Sequence, residues 1–306
     1  MEQVYKWYQK PERKGWEQLL ILLGLFCAGL LIAFLAAGIV MLAYYGFSGL
    51  RSIDAGHIPY SIMILLAVIQ DVFLFALPAI LFGKIVQRRK DFLYVNRKSQ
   101  AWFWIAAIVL AFAALPVSDL LGTLTEKIPL SHNWAVYFKQ KEKDYFDEVS
   151  MILNFTSISY LIVSVIMIAL LPAIAEELFF RGALQQLMIK WTNSAVAGII
   201  ITAVIFSAFH FSYYGFLSRA MLGAVLGIVY YYGKNIWLNI LMHFINNASA
   251  IIGYYLMFGN KPLDFDTLYK DNNSSPWYVQ LIGVVVLIAV MNIFIRKTKQ
   301  IPNHTS

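Results

Sequence analysis

Three short patterns in the second half of the chain place ionisable or amide side chains within otherwise apolar sequence. A carboxylate near two imidazoles, supported by a carboxamide and an ion pair, is a set of groups suited to activating water. Histidine and asparagine side chains also donate hydrogen bonds to a developing oxyanion. The residues therefore predict hydrolytic chemistry. The patterns are Glu176-Glu177-x-x-x-Arg181, Phe206-x-x-x-His210 and His243-x-x-x-Asn247.

The spacing within two of these patterns gives the side chains defined relations on a helix. Glu177 and Arg181 are one turn apart, so we expect them to form an ion pair that offsets the cost of burying both charges. Glu176 is rotated by about 100° from its neighbour and is free to face another group. His243 and Asn247 are also one turn apart and form a polar stripe on an apolar helix.

A metal centre is an alternative use of the same residues. Glu176, His210 and His243 provide one carboxylate and two imidazoles, which is a common ligand set for a catalytic divalent metal such as zinc. Asparagine is a poor zinc ligand, and Asn247 therefore favours a water-activating glutamate. The residues leave both possibilities open.

The elements that must position these groups are membrane-spanning helices. Hydrophobic residues make up 60% of the 306 positions and charged residues 13%, whereas soluble domains carry about 25% charged residues. Apolar runs of about 20 residues recur along the chain, as a bilayer requires. We predict an all-α polytopic membrane protein with its catalytic core in helices 4–7. The eight predicted spans are 18–45, 60–83, 102–122, 154–189, 194–212, 216–232, 235–257 and 277–295.

Three further features predict how the spans are arranged. Asn193 is the expected turn between the fourth and fifth spans, and Glu176 and His210 are equally far from it, so we expect them at one level of a hairpin. Gly223 and Gly227 form a small-xxx-small pattern that favours close helix packing. Five tryptophans are expected at helix ends, where amphipathic rings anchor at the headgroups. They are Trp16, Trp102, Trp191, Trp237 and Trp277.

The charge distribution and the cysteine content restrict which classes of protein fit the sequence. The basic residues cluster just outside apolar runs, which excludes nucleic acid as the reason for the net charge of +7. Roughly two thirds of the Lys and Arg lie on one side of the predicted topology, so we expect both termini to be cytoplasmic in a cell-membrane protein. Cys27 is the single cysteine and excludes a disulfide framework. We divide the chain into an N-terminal membrane region (1–150), a catalytic helical core (151–260) and a final loop, helix and tail (261–306).

The patterns EExxxR, FxxxH and HxxxN, in this order on successive helices, resemble those of the CPBP family of intramembrane proteases. This family includes type II CAAX prenyl endopeptidases and bacterial bacteriocin-processing and self-immunity (Abi) proteins, and it is often labelled metalloprotease. The resemblance covers about residues 155–255. It implies cleavage of a peptide or lipid-modified protein substrate at the bilayer. It also implies residue roles: Glu176 as general base with His210 on the water, His243 and Asn247 at the oxyanion, and Glu177 and Arg181 as support.

Other classes of membrane protein fit the sequence less well. The chain lacks the HExxH and GxGD motifs of other intramembrane proteases, and the GxSG of rhomboid-type enzymes occurs only at Gly46–Gly49, after the first span. A non-catalytic immunity, peptide-binding or transport protein would use the same polar cavity without needing a base. We expect the other polar residues in or near spans to line interfaces or cavities, with Asp71 a candidate for the active-site cavity. They are Gln70, Asp71, Asp119 and Arg219.

Overall fold

A computed structural model of the chain describes residues 13–49, 58–87, 99–153, 157–258 and 274–300. Within these ranges the protein forms nine helical segments and no strand, which confirms the all-α prediction. The segments are α1 (Gly15–Gly49), α2 (Tyr60–Gln70, Asp71–Ala76, Leu77–Phe82, Gly83–Gln87), α3 (Ala101–Glu126), α4 (His132–Ile152), α5 (Ile158–Ser164, Val165–Leu170, Leu171–Glu177, Leu178–Gln185, Gln186–Thr192), α6 (Ala195–Ala208), α7 (Phe216–Gly233), α8 (Ile236–Phe258) and α9 (Trp277–Gln300).

Seven of these helices are long and apolar enough to cross a membrane, namely α1, α2, α3, α5, α7, α8 and α9. The prediction of a span at 194–212 is wrong in its extent, because α6 has only 14 residues and ends at Ala208. At 1.5 Å per residue such a helix is about 21 Å long, which is shorter than the ~30 Å hydrocarbon core. His210 consequently lies beyond the helix on which it was predicted.

The turn between α5 and α6 forms where it was predicted. Asn193 has the left-handed conformation (φ 52°) that ends α5, and the Ser194 side chain caps α6 by accepting a hydrogen bond from the Ala197 N–H. Asparagine tolerates the left-handed conformation better than most residues, which explains its use here. The five tryptophans also lie within two residues of a helix end, as predicted.

Helix α4 was not predicted. Its residues His132–Ile152 have low mean hydropathy, so a search for apolar runs does not find it. Aromatic side chains recur along it at roughly helical spacing, at Trp134, Phe138 and Tyr145. Local contacts such as the hydrogen bond from Gln140 to Asp144 add support along the polar face.

The two largest of four apolar clusters account for most of the interior of the described part of the molecule. One is built from α3, α7, α8 and α9, and the other from α1, α2, α5 and α6.

Helix α5 contains two π-helical turns, and the second of them, Leu178–Gln185, begins directly after Glu177. Another π-helical turn begins at Asp71 in α2. Such turns are frequent at functional sites because they re-aim side chains within a helix.

Candidate active site

The predicted pair of Glu177 and Arg181 is present and anchors the site. Nη1 of Arg181 donates to Oε1 of Glu177 over 2.7 Å, and both side chains have no exposed surface. The same glutamate oxygen accepts a hydrogen bond from Nδ1 of His243 at 2.9 Å. A carboxylate only accepts, so the proton of this bond is on Nδ1. Glu177 therefore fixes the ring orientation of a histidine from another helix.

Glu176 faces the other nitrogen of the same imidazole. Its Oε2 lies 3.8 Å from Nε2 of His243, and the carboxylate is 14% exposed. This oxygen is buried and makes no hydrogen bond to any residue that the structure describes. The two consecutive glutamates thus bracket His243, one holding Nδ1 and the other lying opposite Nε2.

Phe206 connects these residues to His210. The guanidinium of Arg181 lies over the Phe206 ring at 4.7 Å from its centroid. The ring centroids of His210 and His243 lie 4.9 and 5.8 Å from that of Phe206. Phe206 is almost fully buried, so it acts as a shared wall that sets where the two imidazoles lie.

His210 lies in the loop after α6 and is oriented by the backbone. Its Nδ1 donates to the Phe206 carbonyl at 2.9 Å, which leaves Nε2 as an acceptor in the neutral ring. The next residue, Phe211, has a left-handed backbone (φ 49°). This conformation is uncommon for an aromatic residue, and it turns the chain away from α6 immediately after His210.

Asn247 lies one turn beyond His243 on α8 and is partly buried. Its side chain makes no hydrogen bond to another residue in the described ranges, so its amide is free to meet a substrate. The sequence did not resolve whether His210 and His243 lie at the same depth. In the structure both rings pack on Phe206, so the two histidines lie at a similar level.

The glycines of α7 allow the neighbouring helices α5 and α6 to approach closely, as predicted. Arg181 Nη2 donates to the Gly223 carbonyl at 3.2 Å, and Gln185 Nε2 donates to the Gly227 carbonyl at 2.9 Å. A Cβ added at Gly223 would lie 3.0–3.1 Å from Ala203. Ala203 belongs to α6, so the absent side chain of Gly223 makes room for α6, whereas a Cβ added at Gly227 would lie 2.8 Å from Oε1 of Gln185 in α5. Gln185 was not singled out from the sequence, although it lies one turn after Arg181.

The candidate metal ligands do not converge on one point. Among the residues described, no three His, Cys, Asp or Glu side chains are placed to share an ion. Nδ1 of His210 and Nδ1 of His243 each donate to a protein acceptor, which leaves Nε2 as the ring nitrogen that could bind an ion. Because Glu176, His210 and His243 are not grouped around one point in the described part of the chain, we derive no catalytic step through a metal.

Two further charged residues approach Glu176. Asp71 of α2 is buried, and its carboxyl is close enough to that of Glu176 for the two to interact electrostatically. Arg219, in the first turn of α7, is close enough to act on both Glu176 and His210. The sequence marked both as polar residues of spans or cavities, but only the packing of α2 and α7 places them at the site.

Helix α4 docks on the loop that carries His210. Ser212 donates to a Glu142 carboxylate oxygen at 3.0 Å, and the rings of Phe138 and Tyr213 stack with centroids 4.7 Å apart. The loop is also stabilised internally. The Ser212 hydroxyl accepts from the Gly215 N–H at 3.0 Å, directly before α7 begins at Phe216.

Comparison with known proteins agrees with the resemblance drawn from the three patterns. Residues 158–249 match the family described as type II CAAX prenyl endopeptidase Rce1-like, which confirms that resemblance. An 88-residue stretch is 34% identical to the uncharacterized protein YpbD of Bacillus subtilis (strain 168). That match covers 28% of this chain and 42% of the relative, so the chain spans less than half the length of this relative. No solved structure matches the chain at a significant level.

Proposed function

From the match of residues 158–249 to the Rce1-like type II CAAX prenyl endopeptidase family, we propose that this multi-pass membrane protein is an intramembrane endopeptidase. Its substrate is a peptide or a lipid-modified protein that reaches the site from the bilayer. The reaction is hydrolysis of a peptide bond by water that Glu176 activates.

One relationship carries this proposal. Glu177 holds Nδ1 of His243 and thereby directs Nε2 toward the buried, unpaired Oε2 of Glu176. Binding a peptide requires neither an oriented imidazole nor a second carboxylate opposite it. General acid–base catalysis requires both, with distances that tighten when substrate binds. The arrangement therefore favours an enzyme over a protein that only holds a peptide.

The proposed mechanism assigns each proton to an atom. Glu176 takes a proton from water, and the oxygen of that water adds to the scissile carbonyl carbon. Nε2 of His210 accepts a hydrogen bond from the water and orients it. Glu176 then passes its proton to the nitrogen of the leaving amine as the carbon–nitrogen bond breaks.

The oxyanion is stabilised by His243 and Asn247. Donation from Nε2 of His243 requires that the ring carry both protons. The resulting charge lies between the carboxylates of Glu177, which is shared with Arg181, and Glu176. The amide of Asn247, one turn further along α8, supplies a second donor. Arg181 keeps Glu177 in place through the 2.7 Å ion pair.

The decisive experiment uses the full chain purified in detergent with its metal content measured. Internally quenched peptides are incubated with the wild type, with Glu176→Gln and with His210→Ala. We expect cleavage by the wild type, loss of about 1,000-fold or more in both variants, and no dependence of activity on bound zinc. Undiminished cleavage by Glu176→Gln would remove Glu176 from the chemistry. Activity that falls with chelation and returns with zinc would replace the glutamate mechanism by a metal-dependent one.

We also propose that both termini are cytoplasmic, because the predicted eight-span topology places most Lys and Arg on that side. Seven crossings would put the termini on opposite sides, so this proposal requires that the 14-residue α6 crosses the bilayer together with the loop after it. Reporter fusions at either end and in the segment after α3 test this orientation. A reporter that is active outside the cell when fused to either terminus would reverse it.

A further inference from the structure

Arg219 is a charged residue of the site that the proposed mechanism does not use. Its Nη1 atom is buried and makes no hydrogen bond, and no ion pair joins it to a carboxylate among the described residues. Its guanidinium lies over the Tyr145 ring of α4, at 5.9 Å from the centroid. Arg219 as a whole is partly exposed, but a guanidinium nitrogen that is buried without an acceptor is costly unless another group supplies one.

The surroundings of Arg219 leave its charge uncompensated. The Glu177 carboxylate is already paired with Arg181. Glu142, the acidic residue that α4 brings to the same loop, accepts its hydrogen bond from Ser212. Glu176 is influenced by Arg219 without forming an ion pair with it. Glu177 and Glu142 are therefore engaged elsewhere, and no carboxylate among the described residues forms an ion pair with Arg219.

The backbone makes room for this guanidinium. A Cβ added at Gly215 would collide with Nη1 of Arg219, although the Gly215 backbone (φ −84°) suits any residue. The glycine is needed for space and not for its conformational freedom. Ser207 donates to the Phe216 carbonyl at 2.6 Å and fixes the start of α7 to the end of α6. Arg219 is thus held beside the loop that carries His210, since its Nη1 atom and the Ser212 hydroxyl both lie close to Gly215.

We propose that Arg219 binds a carboxylate of the peptide substrate close to the scissile bond, and so selects substrates that carry a negative charge there. This inference rests on the proposed function. Arginine is suited to the task because its planar fork binds both carboxylate oxygens. The carboxylate is either the terminal carboxylate of the peptide or an acidic side chain, and the experiment separates these two sources.

The probes are three pools of internally quenched octapeptides with otherwise equal sequences. The first has free C-terminal carboxylates and includes Asp and Glu. The second is amidated at the C-terminus, and the third has Asn and Gln in place of Asp and Glu. We expect one of the two altered pools to be cleaved by the wild type with kcat/KM about 10- to 100-fold lower than the first. The pool that loses activity identifies the source of the carboxylate.

The variants assign this preference to Arg219. Arg219→Gln should cleave the first pool and the affected pool equally well, with the loss expressed mainly in KM, and Arg219→Lys should keep part of the preference. Gly215→Ala should also weaken the preference, because its Cβ displaces the guanidinium while the charge remains. Two matched controls should retain it. They are Arg296→Gln, at an exposed arginine of α9, and Gly122→Ala, whose Cβ would lie 3.8 Å from Ser218.

Binding without turnover distinguishes this inference from the proposed function. Labelled peptides from each pool are titrated onto the full-length Glu176→Gln protein and onto Glu176→Gln/Arg219→Gln. Tighter binding of carboxylate peptides to the first protein alone supports the Arg219 site even if no cleavage is observed. If the wild type cleaves all three pools equally, or if Arg219→Gln keeps the preference, the inference is wrong while the endopeptidase assignment stands.

Discussion

Nδ1 of His243 lies 2.9 Å from Oε1 of Glu177, and the two residues are 66 positions apart in the chain. The same oxygen accepts from Arg181 at 2.7 Å. One buried carboxylate oxygen thus joins an ion pair within α5 to an imidazole of α8. Any change to Glu177 should therefore affect both the stability of the protein and the orientation of His243.

Replacing Glu177 tests the stability part of this link. Glu177→Gln leaves the fully buried Arg181 without a counter-charge, and breaking a buried pair from one side costs about 3–5 kcal/mol. We expect the midpoint of thermal unfolding in detergent to fall sharply. Glu177→Leu/Arg181→Met removes both charges and should recover much of the lost stability. Activity should stay low in this double variant, because His243 has no acceptor.

The double variant also separates packing from charge. If Glu177→Gln unfolds at the wild-type temperature, the ion pair is not the anchor of the site. If Glu177→Leu/Arg181→Met regains cleavage together with stability, the orientation of His243 does not depend on Glu177. Exposed Lys141 and Asp144, 3.6 Å apart on α4, form a matched surface pair. Lys141→Met should change stability by less than about 1 kcal/mol.

Two conservative substitutions at His243 separate the contributions of its two ring nitrogens to activity. The amide of His243→Asn can replace Nδ1 as the donor to Glu177, but it places nothing opposite Glu176. The longer side chain of His243→Gln reaches toward the position of Nε2. We expect both variants to fold, and His243→Asn to lose about 100-fold or more in kcat. Cleavage assays and thermal unfolding on the same preparations measure the two properties.

His243→Gln should retain more activity than His243→Asn if the Nε2 position matters for catalysis. The reverse order would indicate that the Nδ1 bond to Glu177 is the main contribution of the ring. Equal activity of both variants and the wild type would remove His243 from the chemistry.

Local spacing explains which contacts were predictable from the sequence. Glu177 and Arg181 are one helical turn apart, so their pairing follows from helix geometry and was confirmed. Asn193 marked its turn through its tolerance of the left-handed conformation. The bond between His243 and Glu177 was not predictable, because it depends on the relative depth of α5 and α8. That depth is set by packing over the whole length of both helices.

Two other features were not predicted from the sequence, for different physical reasons. Helix α4 pairs an aromatic face with many charges, so its mean hydropathy resembles that of a loop. The end of α6 at Ala208 was missed because Phe209, His210 and Phe211 continue the apolar run. The left-handed backbone at Phe211 is unusual for its residue type, and composition gives no sign of it.

Close packing of α6 and α7 predicts a contrast between two glycines. Gly223→Ala places a Cβ 3.0–3.1 Å from Ala203 and 3.3 Å from Phe206, which pushes α7 from the carbonyl contact with Arg181. We expect a lower unfolding temperature and reduced cleavage. Gly253→Ala meets nothing within 4 Å, and alanine in a helix interior is favoured over glycine by roughly 0.5–1 kcal/mol. That control should unfold at the same or a slightly higher temperature.

The contrast fails if Gly223→Ala is as stable and active as Gly253→Ala. Such a result would mean that α7 shifts without loss of stability or activity. It would also mean that the hydrogen bond from Arg181 to the Gly223 carbonyl does not hold α5 and α7 together.

The docking of α4 on the His210 loop predicts that distant aromatic residues affect turnover. Tyr213 lies three residues after His210, and its ring stacks on that of Phe138 with the centroids 4.7 Å apart. We expect Phe138→Ala and Tyr213→Ala each to lower kcat/KM several-fold, because the loop that places His210 loses a support. The aromatic pair should show a coupling of about 0.5–1.5 kcal/mol in a double-mutant cycle. Val136→Ala, at a residue of α4 that is 55% exposed, is the matched control and should be neutral.

The cycle is informative because α4 is held by more than one contact. Glu142 also accepts from Ser212 at 3.0 Å, so α4 should remain in place when one ring is removed, and both single variants should fold. If Phe138→Ala and Tyr213→Ala act additively, the stacked rings do not act together, and any loss of activity arises separately in α4 and in the loop. A coupling in kcat/KM with unchanged thermal stability would instead assign the pair to the positioning of His210, because a purely structural contact would lower both.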